Sequence, residues 1–181
     1  NAGSYEFKVA SGDWSAVNLG AGAAGNQVVV DTPIVIAPSN DNLLLNIPST
    51  SAYVFTLNAV NPAAPTLTVS EYVPYGATTV FLRGGMNDWG EADAFQYLGA
   101  NQYSVDISIN AGSYEFKVAS SDWATVNMGA GPDGATVSEG TPLRIQGSND
   151  NLNMNFAENA VYNFLLDATL TETPELTVTR K

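Results

Sequence analysis

Short runs of alternating apolar and polar residues recur along the whole chain, separated by clusters of Gly, Pro, Asn and Asp. In residues 113–119, Tyr114 and Phe116 fall on one face of an extended strand, whereas Glu115 and Lys117 fall on the other. Helical periodicity is hard to find. The pattern therefore predicts an all-β protein.

The predicted strands lie between turn segments rich in Gly, Pro and Asn. They cover residues 4–10, 33–36, 42–47, 53–58, 67–69, 79–83, 95–98, 103–109, 113–119, 143–146, 151–156, 161–167 and 176–179. The duplicated N-x-G sequences at 18–20 and 127–129 predict turns in which the amide satisfies loop backbone.

The chain contains an internal repeat. Residues 1–70 align with residues 110–179 without a gap, and 37 of those 70 positions carry the same residue. About seven short strands per repeat are typical of an immunoglobulin-like sandwich. We therefore expect tandem immunoglobulin-like β-sandwiches, with one module at 1–70 and a second at 71–181.

Residues 71–109 have no counterpart earlier in the chain, so we expect the first sandwich to lack its opening strands. A sheet in that state exposes unpaired backbone groups and apolar side chains, which favours self-association. The 71–109 segment could exchange between modules, a neighbouring subunit could donate strands, or crystal or filament contacts could cap the edge. The sequence leaves these alternatives open.

The charge balance narrows the range of partners. Eighteen Asp and Glu residues against six Lys and Arg residues give a net charge of -12, which repels nucleic-acid backbones and anionic lipid. No apolar stretch approaches the roughly 20 residues of a membrane helix. We expect neither nucleic acid nor a membrane as a partner. The low Lys content and the lack of an initiator Met favour a secreted protein or an excised fragment.

Histidine and cysteine are both absent. Their absence removes the commonest general base, the thiolate nucleophile and most transition-metal ligands. The carboxylates show no sign of the facing pair that glycoside hydrolysis requires. We therefore expect no enzymatic activity, no cofactor and no metal site.

The strand predicted at 151–156 carries a polar face. Its alternation directs Asn151, Asn153 and Asn155 away from the core, and the same rule directs Lys117 outward from its own strand. Amides and an ammonium supply hydrogen-bond donors and acceptors without negative charge. This face could therefore bind a neutral polar ligand.

Two tryptophans fall in turn-like settings, Trp89 in GGMNDWG and Trp123 in SSDW. An indole in a turn is often exposed, and the apolar face of a sugar ring stacks on such a plate. Together with the amides and Lys117, the two rings form the combination that a neutral glycan site requires. The residues alone also allow the indoles to pack under loops and the lysine to be a solvated charge.

The order of three segments resembles a known family. FLRGGMNDWG, followed by GSYEFKVASSDW and later by SNDNLNMNF, is similar to the carbohydrate-binding module family 48 and related starch-binding domains of pullulanases, isoamylases, amylases and glycogen-sensing kinase subunits. The resemblance spans 71–179 and, without its opening segment, 1–70. It implies an immunoglobulin-like sandwich that binds α-1,4-glucan.

The resemblance also implies which residues bind the sugar: two turn tryptophans, a strand lysine and asparagines late in the module. In the second module these are Trp89, Lys117, Trp123, Asn151 and Asn153, with Asn149 as an alternative for the late asparagine. In the first module the counterparts are Lys8, Trp14 and Asn42, and the first tryptophan has none.

The sequence thus favours non-catalytic binding of α-glucan, such as starch or glycogen, by tandem β-sandwich modules. The alternative is a structural or assembly protein whose incomplete first sandwich is completed by strands from a neighbouring subunit. A third possibility is a spacer domain of an enzyme, in which the tryptophans only pack.

Overall fold

The computed structural model describes all residues from 1 to 181 and contains 18 β-strands, one short 3-10 helix and no α-helix. The prediction of an all-β fold is confirmed. The chain divides into two compact units, Asn1–Tyr72 and Val73–Lys181, called unit 1 and unit 2 below. None of its helical structure has the length and apolarity that crossing a membrane requires.

The strands are numbered in chain order. Unit 1 contains β1 (Gly3–Phe7), β2 (Val9–Ala10), β3 (Asn18–Ala21), β4 (Gln27–Val28), β5 (Ile34–Pro38), β6 (Leu43–Ile47), β7 (Tyr53–Asn58) and β8 (Thr66–Glu71). Unit 2 contains β9 (Val80–Gly84), β10 (Gln96–Gly99), β11 (Gln102–Ile109), β12 (Gly112–Ser120), β13 (Asn127–Gly129), β14 (Leu143–Arg144), β15 (Gln146–Gly147), β16 (Leu152–Phe156), β17 (Ala160–Asp167) and β18 (Glu175–Arg180).

Unit 2 is built from two antiparallel sheets of five strands. One sheet has the order β10-β11-β17-β18-β14. In the other, β15-β13-β12-β16 are adjacent and β9 pairs with the remaining edge of β12. Alternation along β16 places Leu152, Met154 and Phe156 inside, whereas Asn153 and Asn155 are exposed. The predicted inward and outward faces of this strand are therefore the observed ones.

Aromatic side chains from both sheets meet in the core of unit 2. Phe116 and Phe164 pack with ring centroids 5.7 Å apart and planes at 87°, and Phe156 packs on Tyr162 at 4.7 Å and 74°. Such edge-to-face pairs add about 0.5–1.5 kcal/mol beyond the burial of their area. All four rings are almost completely buried.

Unit 1 has a smaller core between a three-stranded sheet, β1-β6-β4, and a five-stranded sheet, β2-β3-β5-β8-β7. Ile36, Leu43 and Leu67 are buried at its centre. The repeat aligns the strands of unit 1 with those from β12 onward in unit 2, so β9, β10 and β11 have no equivalent in unit 1. As a result, β2 and β7 are the end strands of their sheet.

The turns predicted at 18–20 and 127–129 are wrong, since both segments lie in short strands, β3 and β13. The glycines there serve close packing. A Cβ at Gly129 would lie 2.0 Å from the carbonyl oxygen of Asp150, and one at Gly20 would lie equally close to that of Asp41. Only glycine fits where two backbones approach this closely.

The two copies of one core phenylalanine provide a stability test. Phe164 is 0% exposed, whereas its equivalent Phe55 is 51% exposed. We expect Phe164→Ala to destabilise unit 2 by about 3–5 kcal/mol, and Phe55→Ala to destabilise unit 1 by clearly less, because less of its ring is removed from water. Urea unfolding with hydrogen exchange resolved by unit measures both, and equal losses would contradict the packing described here.

Candidate functional site

Trp89 lies in a tight turn directly after β9. A 3-10 helix, Gly85–Asn87, precedes it, and Asp88 and Trp89 both have left-handed backbones, with φ of 53° and 60°. The side chain of Asn87 holds the turn, since its Oδ1 accepts a hydrogen bond from the backbone N–H of Gly84 at 2.9 Å. The N–H of Trp89 also donates to the carbonyl of Gly84 at 2.9 Å.

Trp123 lies in a second turn, directly after β12, with φ of 55°. Asp122 organises this turn. It accepts hydrogen bonds from the hydroxyls of Ser120 and Thr125 and, at 3.0 Å each, from the backbone N–H groups of Ala124 and Thr125. These bonds stabilise the carboxylate and hold the pKa of Asp122 well below its usual range.

All three tryptophans of the protein adopt this left-handed conformation, Trp14 having φ of 63°. For a bulky residue it costs on the order of 1–2 kcal/mol. Such conformations persist only where the surroundings impose them, and they cluster at functional sites.

The two tryptophan turns of unit 2 come together. The ring centroids of Trp89 and Trp123 are 6.2 Å apart, with planes tilted by 43°. Both side chains are half-buried. They form a continuous aromatic surface, which the sequence motifs predicted only as two separate rings.

Arg83 joins the two turns, and the sequence analysis missed it. The residue is 8% exposed. Its Nε donates to the carbonyl of Trp89 at 2.9 Å, and its Nη1 donates to the carbonyls of Ser120 and Ser121 at 3.1 and 3.2 Å. Its Cζ lies 3.9 Å from the ring centroid of Trp123, a cation–π contact. One guanidinium therefore fixes both turn backbones and covers one face of an indole.

The positive charge of Arg83 is compensated mainly by these carbonyl groups. Glu91 lies 3.7 Å from its Nη1, but that carboxylate side chain is about half exposed, so the ion pair is worth little. A desolvated cation–π contact contributes up to about 2 kcal/mol. The signal that could have identified Arg83 is a lone cation inside an otherwise apolar strand, VFLRG.

Lys117 is not the exposed donor that its strand pattern predicted. It points away from the core, as expected, but it is only 4% exposed. The backbone at Gly129 packs on its stem, since a Cβ there would lie 3.2 Å from Lys117 Cε. Its Nζ donates to the carbonyl of Ser148. Desolvation lowers the pKa of Lys117, against the opposite effect of the nearby Asp150 carboxylate.

A shallow cleft of about 370 Å³ opens beside Trp123. Its polar lining comes from Thr125, Asn127, Ser148 and Asn149, and no charged residue lines it. The Oδ1 of Asn127 is buried without a hydrogen-bond partner. The cleft thus combines an indole with neutral hydroxyl and amide groups.

Asn151 and Asn153 lie outside the lining of this cleft. Asn151 Nδ2 donates to Glu115 Oε2 at 3.0 Å, and Asn153 Oδ1 accepts from the hydroxyl of Thr136 at 3.1 Å. The structure therefore places Asn149, the alternative considered from the sequence, beside Trp123.

Unit 1 repeats part of this arrangement. Lys8 Nζ donates to the carbonyl of Ser39 and lies 5.9 Å from the ring centroid of Trp14. Asn42 Nδ2 donates to Glu6 Oε2 at 3.2 Å. Trp14 is 56% exposed. Unit 1 has no second tryptophan and no arginine, so its site consists of a single indole.

No protein family model and no curated protein matches the chain. A solved structure described as "Ligand induced structure of AmyP-SBD", a starch-binding domain, is 20% identical, with a TM-score of 0.48. The similarity covers 58% of this chain and 73% of that one. Similarity at this level assigns neither a family nor a ligand to the chain.

Removing Arg83 tests its role in holding the turns. We expect Arg83→Met to destabilise unit 2 by about 2–4 kcal/mol, because several buried hydrogen bonds are lost, and to abolish the exciton-coupled circular dichroism of the paired indoles. Arg144→Met, which breaks only an exposed pair with Asp133, is the matched control and should change little. An intact exciton signal in Arg83→Met would contradict the role given to Arg83.

Acid should loosen the Trp123 turn through Asp122. Its pKa is lowered from 3.8 by folding, so its stabilising contribution is complete above that pH and is lost as the pH falls further. We expect the amides of Ala124 and Thr125 to lose protection from hydrogen exchange over this range in the wild type but not in Asp122→Asn. Asp13→Asn, in the equivalent turn of unit 1, is the control, and an identical acid response in all three proteins would refute the assignment.

Proposed function

We propose that the protein binds neutral α-glucan without catalysis, using the aromatic surface of Trp89 and Trp123 in unit 2. One observation carries the proposal: two half-buried indoles in left-handed turns lie 6.2 Å apart and are fixed to each other by the buried Arg83. A folded core does not require this costly arrangement, whereas a preorganised stacking surface does.

The shape of the surface favours a curved sugar chain. Indole plates stack on the apolar C–H faces of sugar rings. Successive rings of an α-1,4-linked glucan are turned relative to each other, and the 43° tilt between Trp89 and Trp123 follows such a turn. A flat β-1,4-linked chain would engage the two tilted plates less well.

The cleft beside Trp123 favours a neutral ligand. Thr125, Ser148 and Asn149 offer hydroxyl and amide groups to sugar hydroxyls. With a net charge of -12, the chain as a whole disfavours phosphorylated or sulfated ligands.

In this proposal Lys117 does not contact the sugar directly. It supports the wall of the cleft through its hydrogen bond to the carbonyl of Ser148. Asn149 is the amide next to Trp123, and Asn151 and Asn153 lie beyond the cleft and could contact a longer chain. The site of unit 1, formed by Lys8, Trp14 and Asn42, is proposed to bind more weakly, because it offers one indole instead of two. A secreted location is part of the same proposal.

Affinity electrophoresis in gels containing amylopectin tests the proposal. We expect the wild type to be retarded, and Trp89→Ala and Trp123→Ala each to weaken binding at least about tenfold, or about 1.4 kcal/mol, because each removes half of the stacking surface. Trp14→Ala is the matched control and should lose much less.

A gel containing a soluble cellulose derivative should leave all four proteins unretarded. Hydrogen exchange of the strands of unit 2 establishes that the variants remain folded. Unchanged migration of the wild type in amylopectin would contradict the proposal, and so would a loss of retardation confined to Trp14→Ala.

A further inference from the structure

One side of unit 1 exposes the apolar residues of a sandwich interior. This open face consists of Phe7 at the end of β1, Val9 in β2, and Phe55 and Leu57 in β7. Phe55 and Leu57 are 51% and 43% exposed, and the other two are half-buried. Their repeat equivalents in unit 2, in the same order, are Phe116, Val118, Phe164 and Leu166, and each of these is 0% exposed.

The two strands that border the open face, β2 and β7, also have one unpaired edge each. β7 pairs only with β8, and β2 pairs only with β3. In unit 2 the equivalent edges are both occupied. β17 pairs with β11 from Gln102 to Ile109, and β12 pairs with β9 from Val80 to Gly84. Unpaired edges next to exposed apolar side chains form a template for strand addition.

Unit 2 shows which polypeptide fits such a template. Its segment 73–109 adds β9 to the edge of β12 in one sheet, and it adds β11, followed by β10, to the edge of β17 in the other. Within this segment, β9 contributes the buried residues Val80 and Leu82, and β11 contributes the buried residues Ile107 and Ile109. The open face of unit 1 has the same residues at its centre, since Phe7, Val9, Phe55 and Leu57 are identical to their equivalents in unit 2.

We propose that the open face of unit 1 is a docking surface for an additional polypeptide segment with the pattern of residues 73–109. The segment adds one strand beside β2 and one beside β7. Exchange with a second copy of the chain does not satisfy the surface. Residues 1–181 contain two such faces and one such segment, so every exchanged segment leaves another face open.

The docked segment would also alter the sugar site of unit 1, a consequence that rests on the proposed function. In unit 2 the segment carries Arg83 and Trp89 to Trp123. A docked equivalent would place an arginine and an indole beside Trp14, whose ring centroid lies 5.9 Å from Lys8 Nζ. Docking itself is measured without any glucan, so it can succeed or fail independently of glucan binding.

The probe is a synthetic polypeptide of residues 73–109 added to the intact 181-residue chain. We expect calorimetry to show one polypeptide bound per chain, and hydrogen exchange to show new protection of the amides of β7 and β2. A polypeptide carrying Ile107→Asp should bind roughly tenfold more weakly or worse, because it places a charge against the apolar face. This second polypeptide leaves the chain itself unchanged.

A pair of chain variants localises the docking. Phe55→Asp should abolish binding of the wild-type polypeptide. Val35→Arg is the control, since Val35 is exposed on β5 and the equivalent residue in unit 2 is Arg144, so binding should not change. Hydrogen exchange of β5 and β6 shows whether unit 1 of each variant is folded. If the Phe55→Asp variant is not folded, the comparison of the wild-type polypeptide with the Ile107→Asp polypeptide tests the docking instead.

Three results would overturn the proposal. The first is no heat and no new protection with the wild-type polypeptide. The second is protection of β17 in place of β7, which would mean exchange into unit 2. The third is a dimer in sedimentation, formed without polypeptide and protecting β7, which would assign the face to a second copy of the chain.

Discussion

A β-sandwich keeps its core dry only if each central strand is paired along both edges. In unit 2 the segment containing β9 and β11 provides the pairing for one edge of β12 and one edge of β17. The segment removes Phe164 completely from water, whereas the identical Phe55 remains about half exposed in unit 1, where no such segment pairs with the sheet. The same segment carries Arg83 and Trp89 to the turn of Trp123. Closing the core and assembling the aromatic surface therefore depend on the same segment, since its β11 pairs with β17 and its β9 pairs with β12.

The buried charge of Arg83 orients the two turns that carry the aromatic surface. Burying a guanidinium is costly unless its donors find partners, and the carbonyls of Trp89, Ser120 and Ser121 accept hydrogen bonds from the Nε and Nη1 of Arg83. These carbonyls belong to two turns that are distant in sequence, so the arginine ties together segments that strand pairing alone would not hold. The left-handed turns it links are strained, and strain of this kind is tolerated where it presents side chains for binding. Lys117 has a comparable role at the cleft beside Trp123, where it donates to the carbonyl of Ser148.

Most of the fold could be predicted from the sequence because alternation with a period of two directly reports which side chains are buried, as the strand Leu152–Phe156 shows. The short strands β3 and β13 were missed because their glycines resemble turn signals, although they serve close backbone packing. The motifs predicted that Trp89 and Trp123 lie in turns, which the structure shows, but they could not show that the two rings meet. The burial of Lys117 and the joining role of Arg83 depend on chain segments far away in sequence, which no local pattern encodes. For the same reason the sequence could not show that Asn149, and not Asn151, lines the cleft beside Trp123.

The indole N–H signals of the three tryptophans in a ¹⁵N–¹H spectrum provide the most direct test of the shared aromatic surface. During a titration with maltoheptaose, the signals of Trp89 and Trp123 should shift together along one binding curve, and that of Trp14 should shift at higher sugar concentration or not at all. Static signals from Trp89 and Trp123, or two curves with clearly different affinities, would contradict the view that these rings act as a single glucan-binding surface.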